Sequence, residues 1–397
     1  MAQQEEEKEE KIVQETFRWL HRHPELSYEE VETTKRVREV LQEHDVAVLD
    51  SSLKTGLVAE VGTADSSGPV VALRADIDAL PVTEKTGLPY ASETPGRMHA
   101  CGHDFHTSAL LGAALLLKQK ETELPGRVKL VFQPAEEAPG GAKKVLETGL
   151  LGDVAAVFGL HVSPLLPVGT LGIRAGAVTA SVDRFQITFR GKGTHAAHPD
   201  AGIDPIPAAA AFIQAAQTIV SRNLNPFAPG LVSITHVEGG NTWNVIPETV
   251  LVEGTTRSLG KEERQLIREN LCRLAECIAE GHGSQAEIDW YEGPPATDNT
   301  PEWVEVARQA AQKQPLEVVE ASASLAGEDF AYYQETLPGA FVLVGTGRSY
   351  SNHNPKFQVD PAALWPAAKY LAGLAEAALQ HLSSHFGGKG KAGGAKI

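Results

Sequence analysis

Cysteine is scarce in this chain: three residues in 397, Cys101, Cys272 and Cys277. So low and odd a count argues against a disulfide framework and suits a reducing compartment. Cys272 and Cys277 fall in a stretch of amphipathic helical spacing, where a thiol ordinarily packs as a small apolar group. Basic residues are also short, 35 against 51 acidic ones, for a formal charge of −16. That surface disfavours nucleic acid and anionic membranes as partners. It says little about a small substrate, because a local site can carry the opposite sign. Long apolar runs are missing, since the stretches at 109–117 and 208–219 are too short to cross a bilayer. The opening MAQQEEEKEEKIVQ lacks the basic start and apolar stretch of a secretory signal, so a cytoplasmic location is expected. Internal repeats are absent.

What is present is length and alternation. A chain of 397 residues is too long for one ordinary core, so two domains are expected. Helical spacing covers 5–22 and 28–44, broken at His23-Pro24. Short apolar strands are expected at 56–61, 69–74, 128–132 and 154–159, with helices at 105–118 and 142–148. This alternation predicts an α/β sheet with largely parallel strands. After Gly176 the pattern changes to strand 182–189, helix 204–222, strands 231–237 and 249–255, helix 261–282 and strand 285–290. That order is β-α-β-β-α-β, the ferredoxin-like arrangement. The α/β pattern then resumes with helix 301–314, strand 341–345 and helix 361–382. The reading is a discontinuous larger domain, 1–180 and 292–382, with a smaller domain, 181–291, inserted in it. The Gly- and Lys-rich tail 383–397 is expected to be disordered.

The sharpest chemical segment is MHACGHDFH, residues 98–106. Cys101 and His103 are two apart and point the same way in an extended loop, a natural pair for a divalent metal. The helix that follows could help hold a deprotonated thiol through its N-terminal dipole. The bland alternative is a solvated His-rich loop with a buried Cys. Next, the strand ending at Phe132 runs into Gln133-Pro134-Ala135-Glu136-Glu137, placing two carboxylates at a strand's carboxyl end. Adjacent Glu residues can divide the labour, one binding metal and the other accepting a proton. A third apolar strand terminates in His161, and His353 follows a fourth in Asn352-His353-Asn354-Pro355. Taken singly, an acidic turn or a lone His is commonly structural. Their recurrence after four separate α/β connections is what points to a site, and five donors of mixed softness suffice for two ions.

These segments belong to a longer ordered series: HPELSYEE, LRADIDALP, MHACGHDFHTSALLGAA, FQPAEE, FGLHV, GKGTHAAHP, NTWNVIPE, EGTTRS, GEDFAYY and NHNPKF. In this order they resemble the dinuclear metallo-aminoacylase/carboxypeptidase family. Within it they are most similar to hippurate hydrolases, indole-acetyl-amino-acid hydrolases and bacterial N-acyl-amino-acid amidohydrolases. The resemblance runs from about His21 to Pro361. It implies a zinc-exopeptidase-like catalytic domain with an inserted lid that mediates homodimerisation or higher assembly. It implies two divalent ions (Zn, Mn or Co) on Cys101, His103, Glu137, His161 and His353, with Glu136 as general base. Asp76 stands where classical relatives carry a metal-site His, so that ligand is replaced, and Asp78 is expected behind the ligands. From the lid, His195 resembles the oxyanion-stabilising His, and Asn244 and Arg257 resemble groups that hold a substrate carboxylate. Gly327 and Glu328 lie in a loop that lines the site in relatives.

The implied activity is metal-dependent hydrolysis of N-acyl-L-amino acids to a carboxylic acid and a free amino acid. One alternative is an exopeptidase, or a dedicated deacetylase of an intermediate such as N-acetyl-diaminopimelate or N-acetylcysteine. A second is a non-catalytic binding protein on the same fold, which an intact Glu136 and full ligand set disfavour. A third is a structural zinc loop at His99–His106, which would need four close ligands and one ion per chain.

Overall fold

In the computed structural model of the chain, residues 2–63, 68–347 and 349–388 are described. They form two compact units. The first comprises the described residues up to Gly176, then Asp298–Ser322, then Tyr332 onward; the second comprises Ala177–Thr297 and Ala323–Ala331.

The first unit is built on an eight-stranded sheet. Its centre is four parallel strands in the order Arg127–Gln133, Val70–Asp76, Val154–Ser163 and Gly339–Gly345. The flanks are mixed. Leu57–Val61 and Thr170–Ile173 join the central block antiparallel, and Ala47–Val48 and Glu317–Glu320 complete the edges. The parallel expectation therefore holds for the centre alone. The short strands Thr170–Ile173 and Glu317–Glu320 went unread because four residues carry too little periodicity.

The central strand VVALRAD is buried along its whole length, which fits a strand covered on both faces. The helix His103–Gln119 is correspondingly apolar on nearly every side. It packs with Ala2–Arg22 and Leu364–Gly388, and Pro301–Gln312 packs on the latter, in a core that includes Phe17, Leu111, Phe158, Trp303 and Leu371. Asp76 pairs with Gln133 in register, so two central strands finish side by side. Asp78 and the Glu136–Glu137 pair lie just past the carboxyl ends of these two central strands.

The second unit has strands Ser181–Arg190, Gly230–Gly239, Thr249–Ser258 and Gln285–Glu292, with helices Pro205–Thr218 and Lys261–Gly281. Numbering those strands within the unit, their spatial order is 2-3-1-4, antiparallel throughout, as a ferredoxin-like β-α-β-β-α-β chain requires. Alternating burial along Ser181–Arg190 puts Phe185, Ile187 and Phe189 against both helices.

Two expectations need correction. Residues 323–331, assigned by chain order to the larger domain, cluster with the second unit, where Ala180 N–H donates to Ala326 O and Ser324 N–H to Val178 O. The last helix does not end at 382 but runs to Gly388, because nothing in Ser383–Phe386 breaks it. Residues 389–397 of the expected disordered tail lie outside the described residues.

Candidate metal centre

Gly102 sits between the first two expected ligands at φ 92°, immediately before the helix His103–Gln119. A Cβ there would lie 2.5 Å from Val162 Cγ2, so only glycine permits the turn. The turn leaves Cys101 in the loop and His103 in the first helical position. Cys101 Sγ lies 3.4 Å from His161 Nε2. His353, itself at φ 66° and anchored by its N–H to Ala100 O, brings Nε2 to 3.1 Å from Glu137 Oε1. His103 Nε2 stands 4.0 Å from that same oxygen.

Donor atoms of Cys101, His103 and His161 lie within 4.8 Å of one another. The same holds for Cys101, Glu137 and His353, and for His103, Glu136 and Glu137. All five expected ligands and Glu136 are therefore brought together. One refinement concerns His161: the strand Val154–Ser163 continues past it, so the His lies inside the strand and not at its end.

Hydrogen bonds fix which nitrogen of each ring faces the cluster. His161 Nδ1 donates to Val162 O at 2.8 Å, leaving Nε2 as a lone pair. His103 Nδ1 donates to Asp78 Oδ1 at 3.2 Å, and its Nε2 is buried without a hydrogen-bond partner. An orphaned buried nitrogen among a thiol, two further imidazoles and a carboxylate is what a metal ligand looks like in a chain without its ion. The donor set fits two divalent ions.

The electrostatics agree. Burial pushes the Cys101 thiol up, and Glu137 and Glu136 push the same way against an opposing His103. A cation bound at these donors would favour the thiolate, as a metal does for a coordinating thiol. Burial also acts on Glu137, but His353 and His103 outweigh it and hold the carboxyl low.

Asp76, with His103 and His106, forms a further group whose donor atoms lie within 4.8 Å of one another, but both of its oxygens already have protein partners. Its Oδ2 is paired with Arg74 Nη1 at 2.7 Å and its Oδ1 with His106 Nδ1 at 2.6 Å. His106 Nε2 accepts the Val162 N–H at 2.9 Å, so both His106 nitrogens are engaged. Arg74, His106 and Gln133, joined beneath the cluster, were missed in the sequence although LRADIDALP and HACGHDFH contain two of them. His99 belongs to none of the metal-capable clusters among the described residues.

The remaining expected site residues, His195, Asn244, Arg257, Gly327 and Glu328, belong to the second unit. His195 lies in a two-residue strand paired with Val245, and Ala196 N–H donates to Asn244 O, so His195 and Asn244 are neighbours. Arg257 pairs in register with Val182, and the Gly327 backbone packs on the same Val182, where a Cβ would meet its Cγ2. Glu328 is buried and accepts the Phe330 N–H at 2.9 Å.

A mixed sheet with a parallel centre, a two-ion donor set with an adjacent carboxylate, and a ferredoxin-like unit in the same chain define a metal-dependent hydrolase. Residues 72–377 match peptidase family M20/M25/M40, and the chain belongs to that family. It is 50% identical over 362 residues to N-acetylcysteine deacetylase of Bacillus subtilis (strain 168), covering 91% of this chain and 95% of that one. It is 41% identical over 378 residues to IAA-amino acid hydrolase ILR1-like 5 of Arabidopsis thaliana, covering 92% and 86%. Among solved structures it is similar to a dinuclear metal-binding peptidase of family M20 from Bacillus subtilis. That match has a TM-score of 0.86 at 46% identity and covers 94% of this chain and 99% of the other.

Proposed function

We propose that this protein hydrolyses the amide bond of N-acyl-L-amino acids, releasing a carboxylic acid and a free amino acid. The observation that carries the reading is Glu136 beside Glu137: one carboxylate in reach of His103 and His353, the next placed to move a proton. Bound at the five donors, two divalent ions would polarise a carbonyl and bring the pKa of water toward ~7. Glu136 takes the proton of the attacking water and returns it to the leaving amine. His195 is assigned to the oxyanion, and Asn244 and Arg257 to the substrate carboxylate, with Gly327 and Glu328 lining the site. Zinc or cobalt suits the thiolate, while the imidazole and carboxylate ligands admit manganese.

The 50% identity to an N-acetylcysteine deacetylase favours a small acyl group, and a dedicated deacetylase is the second reading. A homodimer through the second unit is supported by its edge strand Gly230–Gly239 and by Phe227 and Trp243, which are 95% and 92% exposed. No helix among the described residues is long and apolar enough to cross a membrane. A cytoplasmic location fits Cys101 kept as a thiol.

The test is a panel of N-acetyl and N-benzoyl amino acids and dipeptides, run with zinc, manganese or cobalt. Turnover of the acyl amino acids supports the proposal, and turnover of dipeptides alone replaces it with an exopeptidase. A chelator should abolish hydrolysis reversibly. Glu136→Ala should keep both ions and lose nearly all activity; retained activity would overturn its role as base.

A further inference from the structure

Of the motifs in the ordered series, HPELSYEE at 23–30 supplies no ligand, base or substrate group, yet three of its side chains converge on the turn that carries Glu136. Ser27 Oγ donates to Asp78 Oδ2 at 2.6 Å. Asp78 in turn accepts the backbone N–H groups of Glu136 and Glu137, each at 3.0 Å. Tyr28 Oη donates to Pro139 O at 2.6 Å. Glu30 is fully buried, and its Oε1 accepts the Ala135 N–H at 2.8 Å.

Ala135 is the unusual residue of the turn. Its φ of 53° is left-handed, a conformation that a residue with a Cβ adopts only when its surroundings impose it. Gly141 closes the other side, where any Cβ would collide with the carbonyl oxygens of Pro134 and Ala135. A relaxed, right-handed Ala135 would rotate the next peptide and turn the Glu136 side chain out of its place beside Glu137. Burying a carboxyl is costly, and an apolar side chain would fill the space as well. What the carboxyl adds is an acceptor that fixes the 134–135 peptide, while Asp78 holds the Glu136 N–H of the next one, and the φ of Ala135 is the rotation between these two anchored peptides.

We infer that Glu30 is a positioning residue for hydrolysis: by accepting the Ala135 N–H it holds that residue left-handed and so aims the Glu136 carboxylate, while Tyr28 pins the far end of the turn at Pro139. The inference rests on the reading of Glu136 as the base. Burial raises the Glu30 carboxyl above its ordinary range, which makes glutamine its nearest stand-in.

The experiment compares Glu30→Ala, Glu30→Gln, Glu30→Ala with Ala135→Gly, and Tyr28→Phe. It reads kcat, KM and bound ions per chain, and backbone amide exchange over 131–137 in the metal-stripped protein. Glu30→Ala should lower kcat by about 100-fold, the scale of a small misplacement of a reacting group. KM and two-ion content should hardly move, and the Ala135–Glu137 amides should exchange faster. Glu30→Gln should retain most of kcat. Glycine at 135, which takes a positive φ without strain, should restore part of what Glu30→Ala loses. Unchanged kcat in Glu30→Ala, loss of ions in step with activity, or equal damage from Gln and Ala would each overturn the inference. Should Glu30→Ala not fold, Glu30→Met, which fills the same space without an acceptor, decides in its place. Faster exchange at 135–137 supports the brace, and unchanged exchange sinks it. Glu136→Ala in parallel separates the two failures: full turnover there removes the base, whereas amide exchange tests the brace without reference to catalysis.

Discussion

Asp78 Oδ1 lies 3.2 Å from His103 Nδ1, and the Asp78 carboxylate also takes the backbone N–H groups of both Glu136 and Glu137. One buried side chain therefore fixes the tautomer of a ligand and the turn that carries base and second ligand. Asp78→Ala should weaken metal binding by about 10–100-fold, the usual scale for losing a partner behind a ligand. Asp78→Asn, which keeps one acceptor, should fall between. Metal titration of the stripped protein checks this, and unchanged affinity in Asp78→Ala would show that Asp78 orients nothing.

Cys101 offers a contrast between the stripped and the loaded protein. Burial holds its thiol protonated, and it is 8% exposed, whereas Cys277 is exposed. Since the thiolate is the reactive form, a disulfide reagent at pH 8 should label Cys277 at once and Cys101 slowly. Cys101→Ser should reduce the ions held per chain, because a hydroxyl is a far poorer ligand than a thiolate. Rapid labelling of Cys101 in stripped protein would contradict the protonated assignment.

His21 makes stability depend on pH from the alkaline side. Burial disfavours its charge, but hydrogen bonds to Asp104 at 2.6 Å and Glu84 at 3.3 Å overcome that and raise it to about 9. The folded value exceeds the unfolded one of about 6.5, so the charged ring stabilises the fold fully below that pH. The contribution fades between about 6.5 and 9, with a slope of up to one proton, about 1.4 kcal/mol per pH unit. Asp104 and Glu84 are held low, so their share is present above the ordinary carboxylate range and is lost as acid protonates them. Urea midpoints from pH 6 to 10 test the alkaline arm; a flat profile in the wild type would remove the charged His21.

How much of this was legible in the sequence varies with the reach of the signal. Strands and helices of five residues or more carry their own periodicity, and Val70–Asp76 and Lys261–Gly281 were readable for that reason. Cys101 and His103 were visible because their two-residue spacing lies at the start of a helix, and the Glu pair because it follows a strand end. The supporting layer was not. His106 meets Asp76 across 30 residues and Glu30 meets Ala135 across 105, and no local pattern announces either partner. The left-handed Ala135 was likewise hidden, since alanine gives none of the warning that glycine gives. Residues 323–331 were misassigned because chain order is silent about which neighbour a loop packs on.

Arg74 and Asp76 are both fully buried and 2.7 Å apart, so their worth shows in how they fail. Removing Arg74 alone leaves a buried carboxylate with His106 hydrogen-bonded at 2.6 Å and His103 Nε2 3.7 Å away. Breaking a buried pair in this way typically costs about 3–5 kcal/mol, most of it the stranded charge. Arg74→Met should therefore be strongly destabilising, and adding Asp76→Asn should recover a large part of the loss, because the charge that needed Arg74 is gone. The recovery should reach stability more than metal binding. Asp76 Oδ2 is 3.7 Å from His103 Nε2, and a neutral amide there removes part of the field that holds the ring. Urea unfolding of the wild type, both singles and the double gives the coupling energy directly. Additive losses in that cycle would mean that Arg74 serves packing alone.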